Sequence, residues 1–221
     1  MTGCATPDEL VPRLRGMSHA VAAVLAIAAA VVVIVLAPEG RATVAAAVYG
    51  VGLIALFGCS ALYHRWPGPV RFKAVLRRLD HSAIFVFIAA TYTPVALVIL
   101  HGWLAWVILG VAWVGAMAGV AFSLGWIHAP RPVVAGSYLA LGWLAVIAVP
   151  QLLGDMGPTP LVLLGAGGLL YSAGAVIYAR QRPDPWPRTF GFHEIFHALV
   201  IAAAAVQYIA LAGWVLTGAS A

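Results

Sequence analysis

Seven long apolar segments dominate this sequence, and they restrict the fold more than any other feature does. Each is close to the length of about 20 residues that an α-helix needs to cross the hydrocarbon core of a membrane. Prolines such as Pro38, Pro67 and Pro158 lie at or near the segment ends, where residues that interrupt helices belong. The segments lie at about 17–36, 42–63, 81–100, 103–124, 133–153, 159–179 and 193–217. The pattern predicts an all-α integral membrane protein, in which a bundle of seven transmembrane helices forms a single domain over residues 17–217.

The composition supports this class and excludes others. Hydrophobic residues make up 63% of the chain and charged residues 9%, whereas soluble domains are about 45–50% apolar and about 25% charged. The net charge of +5 does not indicate nucleic-acid binding, because membrane proteins collect Lys and Arg in cytoplasmic loops. Two cysteines, Cys4 and Cys59, provide no disulfide framework. We therefore expect no nucleic-acid partner.

The distribution of basic residues predicts the orientation in the membrane. Seven spans place the two termini on opposite sides. Of the 12 Lys and Arg residues, 11 fall on the side of the N-terminus, and Arg41 alone falls on the other side. Because positively charged loops stay in the cytoplasm, the sequence predicts a cytoplasmic tail over residues 1–16, an outside C-terminus, and a multi-pass location in the inner (plasma) membrane.

The segment at about 69–79 is amphipathic and is too polar to be a span. Its apolar residues recur at helical spacing, and its basic residues lie mostly off that face; the former are Phe72, Val75, Leu76 and Leu79, the latter Arg71, Lys73, Arg77 and Arg78. This pattern is typical of a short interfacial helix on the cytoplasmic leaflet. The alternative is a plain basic loop.

Several polar residues fall at the cytoplasmic ends of spans two, three and seven. His193 and His197 are four residues apart and share one helix face, as do Ser60 and His64, while Asp80 begins span three. Three imidazoles from two helices suit a tetrahedral zinc site with water in the fourth position, as in catalytic centres. Asp80 could accept a proton from that water, and Ser60 could hydrogen-bond a ligand or a substrate carbonyl.

Each of these residues also has a simpler interpretation. Asp80 could be the N-cap of span three or pair with a nearby arginine, and Ser60 could bond to its own helix. His19 is interpreted as an interfacial histidine, and His81 is a competing ligand. The segment His193-Glu-Ile-Phe-His197 also matches the HExxH pattern of zinc proteases, which leaves an intramembrane metalloprotease as a minor alternative. The best third ligand lies upstream, on span two, and not in a protease arrangement.

Four motifs in order along the chain resemble the hemolysin III family, the bacterial branch of the progestin and adiponectin Q receptor (PAQR) superfamily. They are Ser60-Ala-Leu-Tyr-His64, Leu79-Asp-His-Ser-Ala-Ile-Phe85, Ala89-Ala-Thr-Tyr-Thr-Pro94 and His193-Glu-Ile-Phe-His197. The resemblance implies seven helices with a cytoplasmic N-terminus. It also implies zinc held by His64, His193 and His197, with Asp80 near the zinc-bound water and Ser60 beside it. Family members are linked to haemolysis, membrane lipid homeostasis and, in eukaryotic relatives, ceramide hydrolysis.

Two functional hypotheses of different class follow. The first is a zinc-dependent hydrolase that cleaves a lipid amide or ester near the cytoplasmic leaflet, with Asp80 as general base and Ser60 positioning the substrate. The second is a non-enzymatic, lipid-binding regulator of membrane homeostasis, in which a structural zinc ties span seven to span two and any haemolytic activity is a side effect. Both make a membrane lipid the partner, as substrate or as ligand.

Overall fold

The computed structural model describes residues 12–217, and this part of the chain is helical without β-strands. Residues 1–11 of the predicted tail, which include Cys4, lie outside the described residues. The helices are α1 (Met17–Leu36), α2 (Arg41–Arg65), α3 (Val70–Pro94), α4 (Gly102–Gly125), α5 (Arg131–Gly142), α6 (Val149–Met156), α7 (Pro158–Arg180) and α8 (Phe192–Ala210). Seven helical stretches in the described part are long and apolar enough to cross a membrane, because α5 and α6 together form one of them.

The helices pack in sequence order and present apolar side chains outwards. The close pairs are α1 with α2, α2 with α3, α3 with α4 and α7 with α8, while α5 packs mainly against α7. Small residues allow some helices to approach closely, as at Gly52 of α2 and Ala90 of α3. The outer face of α1 exposes Val21, Val24 and Leu25 by 61–68%. Such a surface suits contact with lipid chains.

The third span is longer than the sequence indicates. The predicted interfacial helix at 69–79 is not a separate element, because α3 runs unbroken from Val70 to Pro94 and continues as a π-helical turn to Ile99. The basic stretch at 69–79 differs in composition from the apolar span that follows it. Its polar and basic residues nevertheless form an α-helix as readily as apolar residues do, so one helix includes both parts. Phe72 and Val75 are each 49% exposed on this extension. Its position on a membrane surface stays a prediction.

The fifth span is interrupted in its middle. Between α5 and α6 the chain forms a 3₁₀ segment, Trp143–Ala148. The Tyr92 hydroxyl of α3 donates a hydrogen bond to the Gly142 carbonyl at 2.5 Å and accepts one from the Ala145 N–H at 2.9 Å. Tyr92 therefore satisfies backbone groups that the change of helix type leaves without an intrahelical partner.

Candidate metal centre

The structure brings together the three histidines that the sequence predicts as metal ligands. His64 lies in the last turn of α2, and His193 and His197 lie on successive turns of α8. One ligand atom from each of the three lies within 4.8 Å of the others. The Nε2 atoms of His64 and His193 are 3.1 Å apart, and the His197 ring is 1% exposed. The site lies at the end of the bundle where α1 begins.

The donor set fits a divalent metal ion. Nitrogen ligands at about 2.0–2.1 Å from a tetrahedral zinc lie about 3.3–3.4 Å from one another, which is close to the separation of the His64 and His193 nitrogens. The Nδ1 atom of His197 is buried and has no hydrogen-bond partner. Buried polar atoms are normally satisfied, so a buried imidazole with an unpartnered nitrogen, in a group of three histidines, is a candidate metal ligand. Imidazole suits zinc, copper, iron and nickel.

The N-terminus of α8 is stabilised by Glu194, which the HExxH pattern would make a catalytic base. Its Oε2 accepts a hydrogen bond from the Gly191 N–H at 2.8 Å, and its Oε1 pairs with the Arg15 Nε at 2.5 Å. Both carboxylate oxygens are thus bound away from the three histidines, and the side chain is 3% exposed. The resemblance to a zinc protease is therefore limited to the sequence pattern, because Glu194 caps the helix and pairs with an arginine.

Asp80 and Ser60 lie beside the three histidines. The Asp80 Oδ2 atom is 4.0 Å from the His64 Nε2, and Asp80 and Ser60 are both buried. Because α3 begins ten residues earlier, at Val70, Asp80 is not an N-cap. Ser60 does not bond to its own helix but to the Nδ1 of His19 in α1, at 2.8 Å. The side chains of Asp80 and Ser60 thus lie in the same small region of the bundle as the three histidines.

His19 is a residue of this site that the sequence does not single out. It is 3% exposed, and its ring stacks on that of His197 with the centroids 3.7 Å apart and the planes 9° apart. The interpretation as an interfacial histidine is wrong, because His19 faces the bundle interior. The topology did contain a signal, since it places the start of span one in the same layer as the ends of spans two and seven. His81 lines the adjacent cavity but is not one of the three clustered histidines.

A cavity of about 250 Å³ extends from the histidines into the middle of the bundle. His19, Ser60, Asp80, His81, His193 and His197 line the end near the clustered histidines, and further polar side chains such as Thr91, Ser172 and Gln207 line the cavity elsewhere. Beyond that end the walls are mostly apolar and come from α3, α5, α6, α7 and α8, with residues such as Ile88, Leu164 and Val200. The arrangement presents two of the three clustered histidines, a carboxyl and a hydroxyl to one end of a mostly apolar space within the bundle.

Comparisons with known proteins agree with the resemblance in the sequence. The family model described as Haemolysin-III related matches residues 10–208. Hemolysin-3 of Bacillus cereus is 32% identical over 209 residues, which cover 93% of this chain and 92% of that protein. The hemolysin-3 homolog of Bacillus subtilis (strain 168) is 32% identical over 197 residues, 88% of this chain and 89% of that protein.

A more distant relative comes from animals. The monocyte to macrophage differentiation factor of Homo sapiens is 30% identical over 173 residues, which cover 74% of this chain and 67% of that protein. The matched region of the family model includes all seven helical stretches except the end of the last. The chain therefore belongs to the hemolysin III family and is a multi-pass membrane protein with seven candidate transmembrane helices.

Proposed function

We propose that this protein is a zinc-dependent hydrolase of a lipid amide or ester. The observation that carries the proposal is the composition of the cavity. His193 and His197 of the clustered histidines line one end of it together with the Asp80 carboxyl and the Ser60 hydroxyl, and its walls are otherwise mostly apolar. An amphiphilic substrate has the same division, because its carbonyl is polar and its acyl chain is not. The mostly apolar walls would bind the chain and leave the carbonyl near His64 and His193.

The residues of this chain have distinct tasks in the reaction. His64, His193 and His197 would hold the metal ion. Zinc supplies a Lewis acid that polarises a carbonyl and lowers the pKa of water. The Asp80 carboxyl, 4.0 Å from the His64 Nε2, would take a proton at Oδ2 from the attacking water and return it to the departing amine or alcohol. The Ser60 hydroxyl, which shares a hydrogen bond with His19, would help to position the substrate.

The location and orientation form part of the proposal. The protein lies in the inner (plasma) membrane with the metal centre near the cytoplasmic leaflet, because 11 of its 12 basic residues fall on the side where α1 begins. Alkaline phosphatase, which is active only outside the cytoplasm, tests this. We expect activity when the enzyme is fused after the C-terminus and none when it is fused in the loop between α2 and α3. The reverse result would contradict the orientation.

Metal content and turnover test the proposed reaction. Mass spectrometry of the purified protein should find about one zinc per chain, and the metal should be lost in His64→Ala and His193→Ala. Lipid amides and esters are then screened for hydrolysis by the metal-loaded protein. The Asp80→Asn variant should keep its zinc and lose turnover. Unchanged turnover in that variant would refute the assignment of Asp80.

The second candidate is a lipid-binding regulator in which the metal is structural. The burial of His197 and the position of the ligands at the ends of two helices favour this alternative, because the metal would cross-link α2 to α8. A structural metal predicts that its removal lowers the unfolding temperature and that no lipid amide or ester is cleaved at any metal loading. Lipid hydrolysis that is lost in the Asp80→Asn variant would favour the hydrolase over the lipid-binding regulator.

A further inference from the structure

We infer that the segment Arg15–His19, which we name the α1 N-terminal turn, is the positioning element of the metal centre. Helix α1 contributes none of the three clustered histidines. Yet three residues of this turn each contact a different ligand or its immediate neighbour. The inference rests on the metal centre of the proposed function and not on the hydrolysis.

Arg15 holds the start of α8. Its Nε donates to Glu194 Oε1 at 2.5 Å, and Glu194 is the residue that follows His193. The Arg15 side chain is 21% exposed and that of Glu194 is 3% exposed, so the pair is largely removed from water. Removing one partner of such a pair leaves a buried charge without compensation. Since Glu194 also caps the α8 N-terminus, the pair fixes the turn that carries His193.

Backbone contacts tie the same segment to the loop that leads into α8. The N–H of Leu14 donates to the carbonyl of Thr189 at 3.3 Å, and the N–H of Arg13 donates to that of Arg188 at 3.1 Å. These bonds bring the residues before α1 alongside the α7–α8 loop. The ion pair between Arg15 and Glu194 therefore continues an existing contact between the two segments.

Gly16 sets the distance between α1 and the end of α2. It lies in the left-handed region at φ 75°, and a Cβ added to it would come within 2.5 Å of the Cβ of His64. The backbone of α1 thus approaches the ligand more closely than any side chain at this position would permit. His64 is held against Gly16 on one side.

His19 contacts the third ligand. Its ring lies flat on that of His197, and its Nδ1 shares a hydrogen bond with the Ser60 hydroxyl. Arg15 lies just before α1 and His19 lies in its first turn. Their side chains reach α8 at the two successive turns that carry His193 and His197. Residues that orient metal ligands from outside typically change metal affinity by about 10–100-fold when they are replaced.

Zinc affinity, measured with a competing chelator and no lipid substrate, tests the role of Arg15. We expect Arg15→Met and Glu194→Gln each to raise the zinc dissociation constant by about tenfold or more. The double variant should be no weaker than the weaker single variant, because the ion pair can be lost only once. Arg13→Met is the matched control, since Arg13 is an exposed arginine two residues before this turn, and it should bind zinc as the parent does.

The stacked histidine is tested by a rescue experiment. His19→Ala should weaken zinc binding by about tenfold, and His19→Phe, which restores a flat ring against His197, should recover most of the loss. The control His128→Ala replaces an exposed histidine of the α4–α5 loop. Cobalt substituted for zinc reports ligand geometry, so its visible spectrum should change in Arg15→Met and in His19→Ala but in neither control. A purely structural role would change the unfolding temperature and leave this spectrum as it is.

The outcomes separate this inference from the proposed function. Parent affinity and an unchanged cobalt spectrum in Arg15→Met and His19→Ala would overturn the role of the α1 N-terminal turn and leave the metal centre standing. A parent protein that binds no divalent metal would overturn the centre and this inference together. A parent protein that binds zinc but cleaves no lipid would overturn the hydrolase alone.

Discussion

Replacement of Gly16 by alanine combines two separable effects, backbone strain and a clash with His64, a proposed metal ligand. Gly16 has φ 75°, where an alanine is strained by about 1–2 kcal/mol. The new Cβ would lie 2.5 Å from the His64 Cβ, whereas carbon atoms pack at about 3.5–4.0 Å. His64 or the α1 backbone must therefore move by about 1 Å, the difference between those two distances.

A movement of that size is larger than a metal site tolerates. Ligand distances in metal sites are kept within about 0.2 Å, so a displaced His64 leaves the coordination geometry. We expect Gly16→Ala to lower zinc affinity by at least about tenfold, as loss of ligand orientation does elsewhere. It should also lower the free energy of unfolding by more than strain alone would. Isothermal titration of zinc and thermal unfolding in detergent measure the two effects separately.

Gly102 provides the matched control. It has φ 65°, but an added Cβ would meet nothing within 4 Å. Gly102→Ala should therefore show only the strain of about 1–2 kcal/mol and keep parent zinc affinity. Equal zinc affinity in Gly16→Ala and Gly102→Ala would refute the reasoning that the close approach of α1 holds His64 in place.

Two further predictions concern packing away from the metal centre. Gly52→Ala should destabilise the bundle by about 1–3 kcal/mol, because its Cβ would lie 2.6 Å from that of Ala90. The control Gly58→Ala, on the same helix but facing open space, should be neutral or stabilising by up to about 1 kcal/mol. A lower unfolding temperature for Gly58→Ala than for Gly52→Ala would contradict the packing of α2 on α3. Tyr92→Phe should lower the free energy of unfolding by about 1–3 kcal/mol, because the Ala145 N–H loses its acceptor. Amide hydrogen exchange should become faster in the 3₁₀ segment, and an unchanged exchange rate there would contradict this role of Tyr92.

The sequence alone determined the class of the protein and most of the candidate metal site. Membrane spans are encoded locally, because each apolar segment of about 20 residues must cross the bilayer by itself. A helical spacing of four residues places His193 and His197 on one face without any tertiary information. Span count and charge asymmetry then put His64 in the same layer, so the three-histidine group followed from local patterns and topology.

Only the tertiary structure decided what surrounds the three histidines. Arg15 and Glu194 are 179 residues apart in the chain, and no local pattern relates them. The structure therefore assigned Glu194 to a cap and an ion pair, although its sequence motif suggested a base. The sequence of α1 likewise gives His19 no partner, and only the packing of α1 places its ring on that of His197. Local sequence fixes which side chains share a helix face, but the choice of neighbouring helix depends on close packing of the whole bundle.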